Sequence, residues 1–323
     1  MITRTTVATL TAQFASDVQY YLSLSPRQLP SRYFYDDLGS ALFDAICALP
    51  WYGVTRAETR LLASHGRAIV GAVPGLKTII ELGPGNGAKL ATLVGDRLTT
   101  DRLDLRLVDI SPSALDLAAR TLSALPGVHI ATYEAEYEAG LVQAASDTPA
   151  GRALVLFLGS NIGNFDRPGA EEFLRGIRAS LRRGDALLMG ADLIKPERDL
   201  LLAYDDPLGV TAAFNRNLLV RINRELGANF DITRFAHRAV WEPEPSRVEM
   251  HLVSLSAQRV RIAAMGEDEA DIVIAQGESI WTESSYKYTP VEIVRNLERT
   301  GFRLTQQWID GEDGFALTLA EAA

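Results

Sequence analysis

The sequence is poor in residues that form disulfides and metal sites. Only Cys47 is a cysteine, so no disulfide can form within the chain, as is usual in a reducing cytoplasm. The four histidines, at positions 65, 129, 237 and 251, are scattered and have no metal-ligand spacing. We therefore expect neither a disulfide framework nor a bound metal.

The chain also lacks an excess of positive charge and any long apolar run. A net charge of −9 and a pI near 5.1 disfavour nucleic acid and anionic membranes as partners. No run approaches the length of a transmembrane helix, and the N-terminus lacks the apolar core of a signal peptide. We expect a cytoplasmic monomer whose partners are small molecules.

What the sequence does contain is a glycine-rich loop. The apolar run 77–82 includes one acid, Glu81, and glycines follow at the alternate positions Gly83, Gly85 and Gly87. The run predicts a buried parallel strand, because it shows no polar alternation. Glycines after such a strand let the chain turn and let a ligand touch the backbone. The loop therefore predicts a nucleotide-type cofactor site at the carboxyl edge of a parallel sheet.

This loop is compatible with two cofactors and also with a turn that binds no ligand. Gly83-x-Gly85-x-x-Ala88 satisfies the dinucleotide fingerprint, which would suit an NAD-dependent oxidoreductase. Glu81 favours S-adenosylmethionine, because that cofactor carries an ammonium and a sulfonium and no phosphate, whereas a pyrophosphate would be repelled. A tight strand-to-helix turn with no ligand is the third interpretation of the loop.

Apolar runs and helical patterns alternate from residue 77 onward. Such a rhythm predicts βαβ units and a parallel sheet. The predicted strands are Lys77–Gly83, Asp104–Ile110, Val128–Tyr133, Arg152–Gly159 and Asp185–Leu193. The predicted helices are Ala88–Asp96, Ser113–Leu125 and Glu171–Leu181, with a less periodic pattern over Glu138–Ala145. The fold class is therefore α/β, with a Rossmann-like sheet.

The end of the chain separates the two cofactors better than the glycines do. Residues 289–301 predict a capped helix, with Thr289 as N-cap and Gly301 after its end. The strands Phe302–Ile309 and Phe315–Ala320 then flank a turn. A final helix and an antiparallel hairpin added to five parallel strands are typical of class I methyltransferases, and a dinucleotide domain has no reason to end this way.

The region between the fifth strand and the final helix is then an α+β insertion. Its predicted elements are the helix Asp205–Leu226 and the strands Arg238–Trp241, Arg247–Leu255, Val260–Ala264 and Ala270–Ala275. We predict a cofactor-binding methyltransferase domain over residues 62–193 and 287–323. We predict a substrate-binding lid domain over residues 1–61 and 194–286, since small-molecule sites favour domain interfaces.

Several polar residues follow the predicted strands. Asp109 can accept hydrogen bonds from both ribose hydroxyls of an adenosine cofactor, or can cap the next helix. Glu136 and Tyr137 fall near an adenine, or in a solvated turn. Asn164 can orient an amino acid by donating to its carboxylate and accepting from its amine, or can form an Asx turn. Glu283 lies in the segment that returns to the sheet, where it can read a polar ring or simply face solvent.

These segments together resemble the histidine-specific methyltransferase family, the Nα-methyltransferases of ergothioneine biosynthesis. The matching stretches are Arg32–Phe43, Leu49–Glu58, Glu81–Lys89, Phe157–Asn164, Ala203–Asn217 and Thr282–Tyr288. They cover nearly the whole chain in order. The resemblance implies S-adenosylmethionine as cofactor and three methyl transfers to the α-amino group of L-histidine, giving hercynine.

The resemblance also implies roles for individual residues. Cofactor contacts fall on Gly83, Lys89, Asp109, Glu136, Tyr137 and Gly159, and Glu81 and Gly85 join them from the loop. The amino and carboxylate groups of histidine would meet Tyr52, Asn164 and Tyr204, and the imidazole would meet Glu283 and Ser285. Tyr35, Thr211 and Met250 would line the same cavity, and Tyr35, Asn164 and Tyr204 are the expected catalytic residues.

Two other functions remain open at this point. An N-methyltransferase acting on another amino acid or amine would keep the cofactor loop without needing Glu283. An NAD-dependent oxidoreductase would use the same glycines, and the C-terminal hairpin speaks against it.

Overall fold

The computed structural model describes residues 7–95, 102–148, 150–265 and 271–323. The end of the predicted helix Ala88–Asp96 and the start of the predicted strand Ala270–Ala275 lie outside these residues. The chain divides into two compact units. The sheet unit is Gly53–Lys195 with Tyr286–Ala323, and the insertion unit is the chain up to Tyr52 with Pro196–Ser285.

The sheet unit is built on seven strands. They are β2 (Leu76–Leu82), β3 (Leu103–Asp109), β4 (Val128–Glu134), β5 (Arg152–Phe157), β6 (Ala186–Asp192), β12 (Phe302–Asp310) and β13 (Phe315–Ala322). Their order is β12-β13-β6-β5-β2-β3-β4, and β13 runs antiparallel to both of its neighbours. The predicted α/β fold of class I methyltransferases, with five parallel strands and a final hairpin, is confirmed.

Helices connect the strands of this unit. They are α3 (Gly53–Gly71), α4 (Ala88–Val94), α5 (Pro112–Leu122), α6 (Tyr137–Ser146), α7 (Arg167–Ser180) and α10 (Pro290–Arg299). The weak pattern over Glu138–Ala145 is therefore a helix. Helix α7 begins four residues before the predicted Glu171, because the Asp166 side chain caps it by accepting the N–H of Gly169 at 2.8 Å. The predicted domain boundary put residues 53–61 outside the sheet unit, but they begin α3, which packs on α4 and β13.

The insertion unit contains four helices and a small sheet in its described residues. The helices are α1 (Val7–Ser23), α2 (Asp37–Cys47), α8 (Glu197–Tyr204) and α9 (Val210–Leu226). The strands β1 (Arg27–Gln28), β11 (Ser279–Tyr286), β8 (Arg247–Ser254) and β7 (Phe235–Glu242) form a sheet in that order, and β9 (Gln258–Val260) pairs with β10 (Ile272–Ile274).

Two predicted elements of the insertion were wrong in detail, and one strand was missed. The helix Asp205–Leu226 begins only at Val210, because the Asp206 carboxylate accepts the backbone N–H of Leu208, Val210 and Thr211 and holds a turn. The strand Val260–Ala264 ends at Val260 and is followed by a short 3₁₀ turn. Strand β11 was missed, because its polar sequence suggested a connecting segment. In the part of the chain that the structure describes, no helix has the length and apolarity needed to span a membrane.

Candidate active site

The loop after β2 turns on three glycines. Gly83, Gly85 and Gly87 have φ values of +73°, +55° and +77°, which side-chain-bearing residues rarely adopt. A Cβ atom at Gly83 would lie 2.9 Å from the Tyr137 hydroxyl and 3.3 Å from Asn161 Nδ2. A glycine at this position therefore keeps open a cradle that any side chain would fill.

Glu81 lies at the end of β2, directly before this loop. Its side chain is buried, with 1 % of the residue exposed, and Oε2 has no hydrogen-bond partner among the described residues. Burial raises the pKa of Glu81 to about 8; nearby Lys89 opposes the rise, and the charges of Glu58 and Asp109 add to it. An unpaired buried carboxyl oxygen suits a cationic ligand group, and S-adenosylmethionine provides two.

Asp109 and Tyr137 occupy the ends of neighbouring elements. Asp109 ends β3 and accepts the backbone N–H of Ser111 at 2.9 Å, and burial raises its pKa despite this bond. The N-cap of α5 is Ser111, so the helix-capping reading of Asp109 is wrong. Tyr137 begins α6, and its ring forms a T-shaped pair with the Phe157 ring, with centroids 5.6 Å apart. Burial raises the pKa of its hydroxyl. Exposed Glu136 precedes it at the N-cap of α6.

Lys89 and Gly159 are joined by a residue that the sequence analysis did not single out. The Glu58 carboxylate, on α3, is fully buried and lies 2.6 Å from Lys89 Nζ. It also accepts the backbone N–H of Gly159, with both oxygens at 2.9 Å. Its position on the apolar face of α3, one turn after Val54 and one turn before Leu62, was the only local sign of its burial.

The loop after β5 is tightly turned. Ser160 adopts a left-handed conformation (φ +60°), and its hydroxyl accepts the backbone N–H of Asp192 at 2.9 Å. A 3₁₀ turn over Asn161–Asn164 follows and leaves Asn164 exposed. Asn164 therefore belongs to the sheet unit with the cofactor-loop residues.

The other predicted substrate residues lie in the insertion unit. The hydroxyl of buried Tyr204 donates to Ser285 Oγ at 2.8 Å, and the Tyr204 ring lies 6.3 Å from the ring of buried Tyr52. Glu283 is half-buried and precedes Ser285 by two residues on β11, so both side chains belong to one face of that strand. Thr211 on α9 and Met250 on β8 are buried in the same unit.

An aromatic row extends from Tyr204 to Tyr35. Phe43, which the sequence analysis did not single out, lies 6.3 Å from the Tyr52 ring and 5.6 Å from the Tyr35 ring. The structure thus brings Tyr35, Tyr52, Tyr204 and Ser285 into one chain of contacts.

The backbone of Tyr204 is held by a buried histidine. His237 Nε2 lies 2.7 Å from the Tyr204 carbonyl oxygen, and Nδ1 lies 2.9 Å from the Asn215 side chain. Because a carbonyl only accepts, Nε2 is the protonated nitrogen. Burial lowers the pKa of His237, so the ring is neutral at pH 7. Nothing in the sequence around His237 indicated this contact.

Comparison with known proteins shows which family this chain matches. Residues 14–322 match the family described as histidine-specific methyltransferase, SAM-dependent. The chain is 40 % identical to the histidine N-alpha-methyltransferase of Mycolicibacterium smegmatis, over 94 % of this chain and 93 % of that protein. It is 38 % identical to the enzyme of the same name from Mycobacterium tuberculosis, over the same shares. It is 29 % identical to ergothioneine biosynthesis protein 1 of Neurospora crassa, over 89 % of this chain and 32 % of that protein.

The topology of the sheet, the glycine cradle and the match over nearly the full length agree on one assignment. The predicted cofactor, S-adenosylmethionine, fits the buried carboxyl group of Glu81 beside the loop, which would repel a pyrophosphate when ionised. The chain belongs to the S-adenosylmethionine-dependent, histidine-specific methyltransferase family.

Proposed function

We propose that this protein transfers methyl groups from S-adenosylmethionine to the α-amino group of L-histidine, and that three transfers give hercynine for ergothioneine biosynthesis. The observation that carries the proposal is on β11, where Glu283 and Ser285 share one face and Ser285 is bonded to Tyr204. The similarity to two enzymes named for histidine supports it. No observation favours another amine or NAD.

The cofactor would be held by the sheet unit. Its sulfonium supplies the electrophilic methyl group when it is bound. The glycine cradle admits backbone contact, buried Glu81 offers an unpaired oxygen to a cationic group, and Asp109 offers a carboxylate to ribose hydroxyls. The remaining proposed contacts are Lys89, Glu136, Tyr137 and Gly159.

The amino-acid substrate would be held mainly by the insertion unit. Tyr52 and Tyr204 would fix its carboxylate and amine. The same role stays a prediction for Asn164. Glu283 and Ser285 would bond the two imidazole nitrogens, because a carboxylate accepts and a hydroxyl does either. Thr211 and Met250 would line the cavity. Positioning of a neutral amine in line with the methyl group would supply most of the acceleration.

Repeated methylation needs a site that tolerates rising positive charge. The aromatic row from Tyr35 through Phe43 to Tyr52 presents ring faces that attract quaternary ammonium groups. Tyr35 or water would carry the released proton away. A cytoplasmic location and a monomeric state remain predictions.

The proposal is tested by incubating the purified protein with S-adenosylmethionine and a panel of amino acids, and by following the products by mass. We expect histidine to gain three methyl groups and the other amino acids to remain unchanged. Methylation of a different amine would contradict the assignment of Glu283 and Ser285. No transfer at all, together with NAD binding by calorimetry, would contradict the proposal as a whole.

A further inference from the structure

We propose that Glu58 is a positioning residue for the amino-acid end of S-adenosylmethionine, acting mainly through Lys89, which it links to the backbone of Gly159. This inference rests on the proposed contact of Lys89 and Gly159 with the cofactor. Lys89 is suited to the cofactor's carboxylate, which is the only anionic group that S-adenosylmethionine carries.

The first support is the geometry of the carboxylate. Glu58 reaches from α3 to α4, where Lys89 Nζ lies at 2.6 Å, and to the loop after β5, where the Gly159 N–H donates at 2.9 Å. The two partners also lie close together, since a Cβ atom built at Gly159 would be 3.3 Å from Lys89 Nζ. One buried carboxylate thus fixes a side chain and a backbone segment that are 70 residues apart in the sequence.

The second support is Gly190 on β6, whose missing side chain leaves space for the Glu58 carboxylate. Gly190 lies within buried strand β6, where glycine packs nothing and is unfavourable. A Cβ atom there would collide with Glu58 Oε1 and would come 2.9 Å from Phe315 Cζ. The glycine is explained by the carboxylate that occupies this space.

The third support is the chemistry of the ion pair. The Glu58 side chain is 0 % exposed, whereas the Lys89 side chain is 26 % exposed. The carboxylate of the pair is therefore buried, and the lysine is partly accessible. The exposed side of the Lys89 ammonium can face a second carboxylate while Glu58 fixes its position, as outer partners do for ligand-binding groups elsewhere.

The test measures ligand binding to the full chain by calorimetry and needs no histidine. The probes are S-adenosylmethionine, S-adenosylhomocysteine and 5′-methylthioadenosine, which lacks the amino-acid end. We expect Glu58→Gln to weaken the first two by about tenfold, as for loss of one charged hydrogen bond, and 5′-methylthioadenosine by less than about twofold. Equal weakening of all three would indicate general damage to the loop and would overturn the proposal. Unchanged or tighter binding of S-adenosylmethionine would overturn it as well.

A double-mutant cycle with Lys89→Met separates positioning from a purely structural role. If Glu58 acts through Lys89, the double variant binds S-adenosylmethionine within about twofold of Lys89→Met alone. If the two losses multiply instead, the residues act independently and the proposal fails. Should Glu58→Gln not fold, Glu58→Asp keeps the charge but is too short to hold both partners, and the same three-ligand comparison applies.

Failure of this proposal is distinguishable from failure of the proposed function. A protein with the expected cycle but no histidine methylation would keep the role of Glu58 and lose the substrate assignment. If the wild type trimethylates histidine but Glu58→Gln binds S-adenosylmethionine as tightly as the wild type does, the substrate assignment stands and the role of Glu58 is lost.

Discussion

At the scale of single residues, Glu81 is unusual because its carboxyl group is buried and its pKa is raised. It is buried beside two other acids, and its pKa rises to about 8, well above its usual value. The folded protein without ligand therefore holds a proton on Glu81 over a pH range in which the unfolded chain has lost it. Two consequences follow, one for stability and one for binding.

For stability, we expect Glu81→Gln to be more stable than the wild type at pH 9, with a difference that shrinks toward pH 5. The folded pKa of Glu81 is raised from 4.5 to about 8, so its contribution to stability is complete below the unfolded pKa and is lost progressively as the pH rises through the folded pKa. Urea unfolding of the ligand-free proteins at pH 5, 7 and 9 measures this. Exposed Glu172→Gln is the control, and a pH-independent difference would contradict the burial of an ionisable Glu81.

For cofactor binding, a rise in pH should favour the wild type over Glu81→Gln, the opposite of its effect on stability. A cationic ligand favours the ionised carboxylate, so the wild-type advantage over Glu81→Gln in S-adenosylmethionine affinity should grow between pH 6 and pH 9. Taking the ratio of the two proteins at each pH cancels the titration of the ligand itself. A ratio that stays at one across this range would remove Glu81 from the cofactor site.

Glu283 is the residue on which the choice of substrate depends most. Glu283→Ala should raise the Michaelis constant for histidine by about ten- to hundredfold, the effect of losing a charged hydrogen bond. The Kd of S-adenosylmethionine should stay unchanged, because Glu283 is not among the proposed cofactor contacts. Exposed Glu244→Ala, in the β7–β8 turn, is the matched control. Unaltered histidine kinetics would remove Glu283 from the ring site.

At the scale of elements, α10 shows how local chemistry fixes a helix. The Thr289 hydroxyl accepts the backbone N–H of Glu292 at 3.2 Å, and the Glu292 carboxylate accepts the backbone N–H of Thr289 at 2.7 Å. This reciprocal pair satisfies two groups that the helix leaves unpaired, and the sequence predicted the cap. It sets the start of the helix that leads into the β12–β13 hairpin.

We expect Thr289→Ala to lower the free energy of unfolding by about 1 kcal/mol, the typical effect of losing an N-cap. Denaturant unfolding measures this loss. Thr121→Ala is the control, because its hydroxyl bonds the carbonyl of Leu117 within α5 and caps nothing. Equal losses for the two variants would show that the cap contributes nothing specific.

At the scale of the whole molecule, the proposed contacts divide between two units. Hydrogen exchange measured by mass spectrometry can test each unit by itself. S-adenosylhomocysteine should protect amides around residues 81–89 and 109–111 in the sheet unit, and histidine added to that complex should further protect residues 204 and 283–285 in the insertion unit. Lysine in place of histidine is the control. Histidine-dependent protection confined to other segments would contradict the assignment of the substrate residues.

The sequence by itself determined the sheet and its loop. Strands buried on both faces are apolar without alternation, and glycines with positive φ must stand where the chain turns sharply, so β2, β3, β5, β6 and the cradle could be predicted locally. The family resemblance carried the substrate residues, which no local pattern could have identified.

Tertiary structure alone decided the features that depend on distant partners. β11 is a strand although its sequence is polar, because β8 and β1 supply its neighbours. Glu58 meets a backbone N–H 101 residues away, and such a contact leaves no periodicity in the sequence, since an ion pair depends on distance in space and not along the chain.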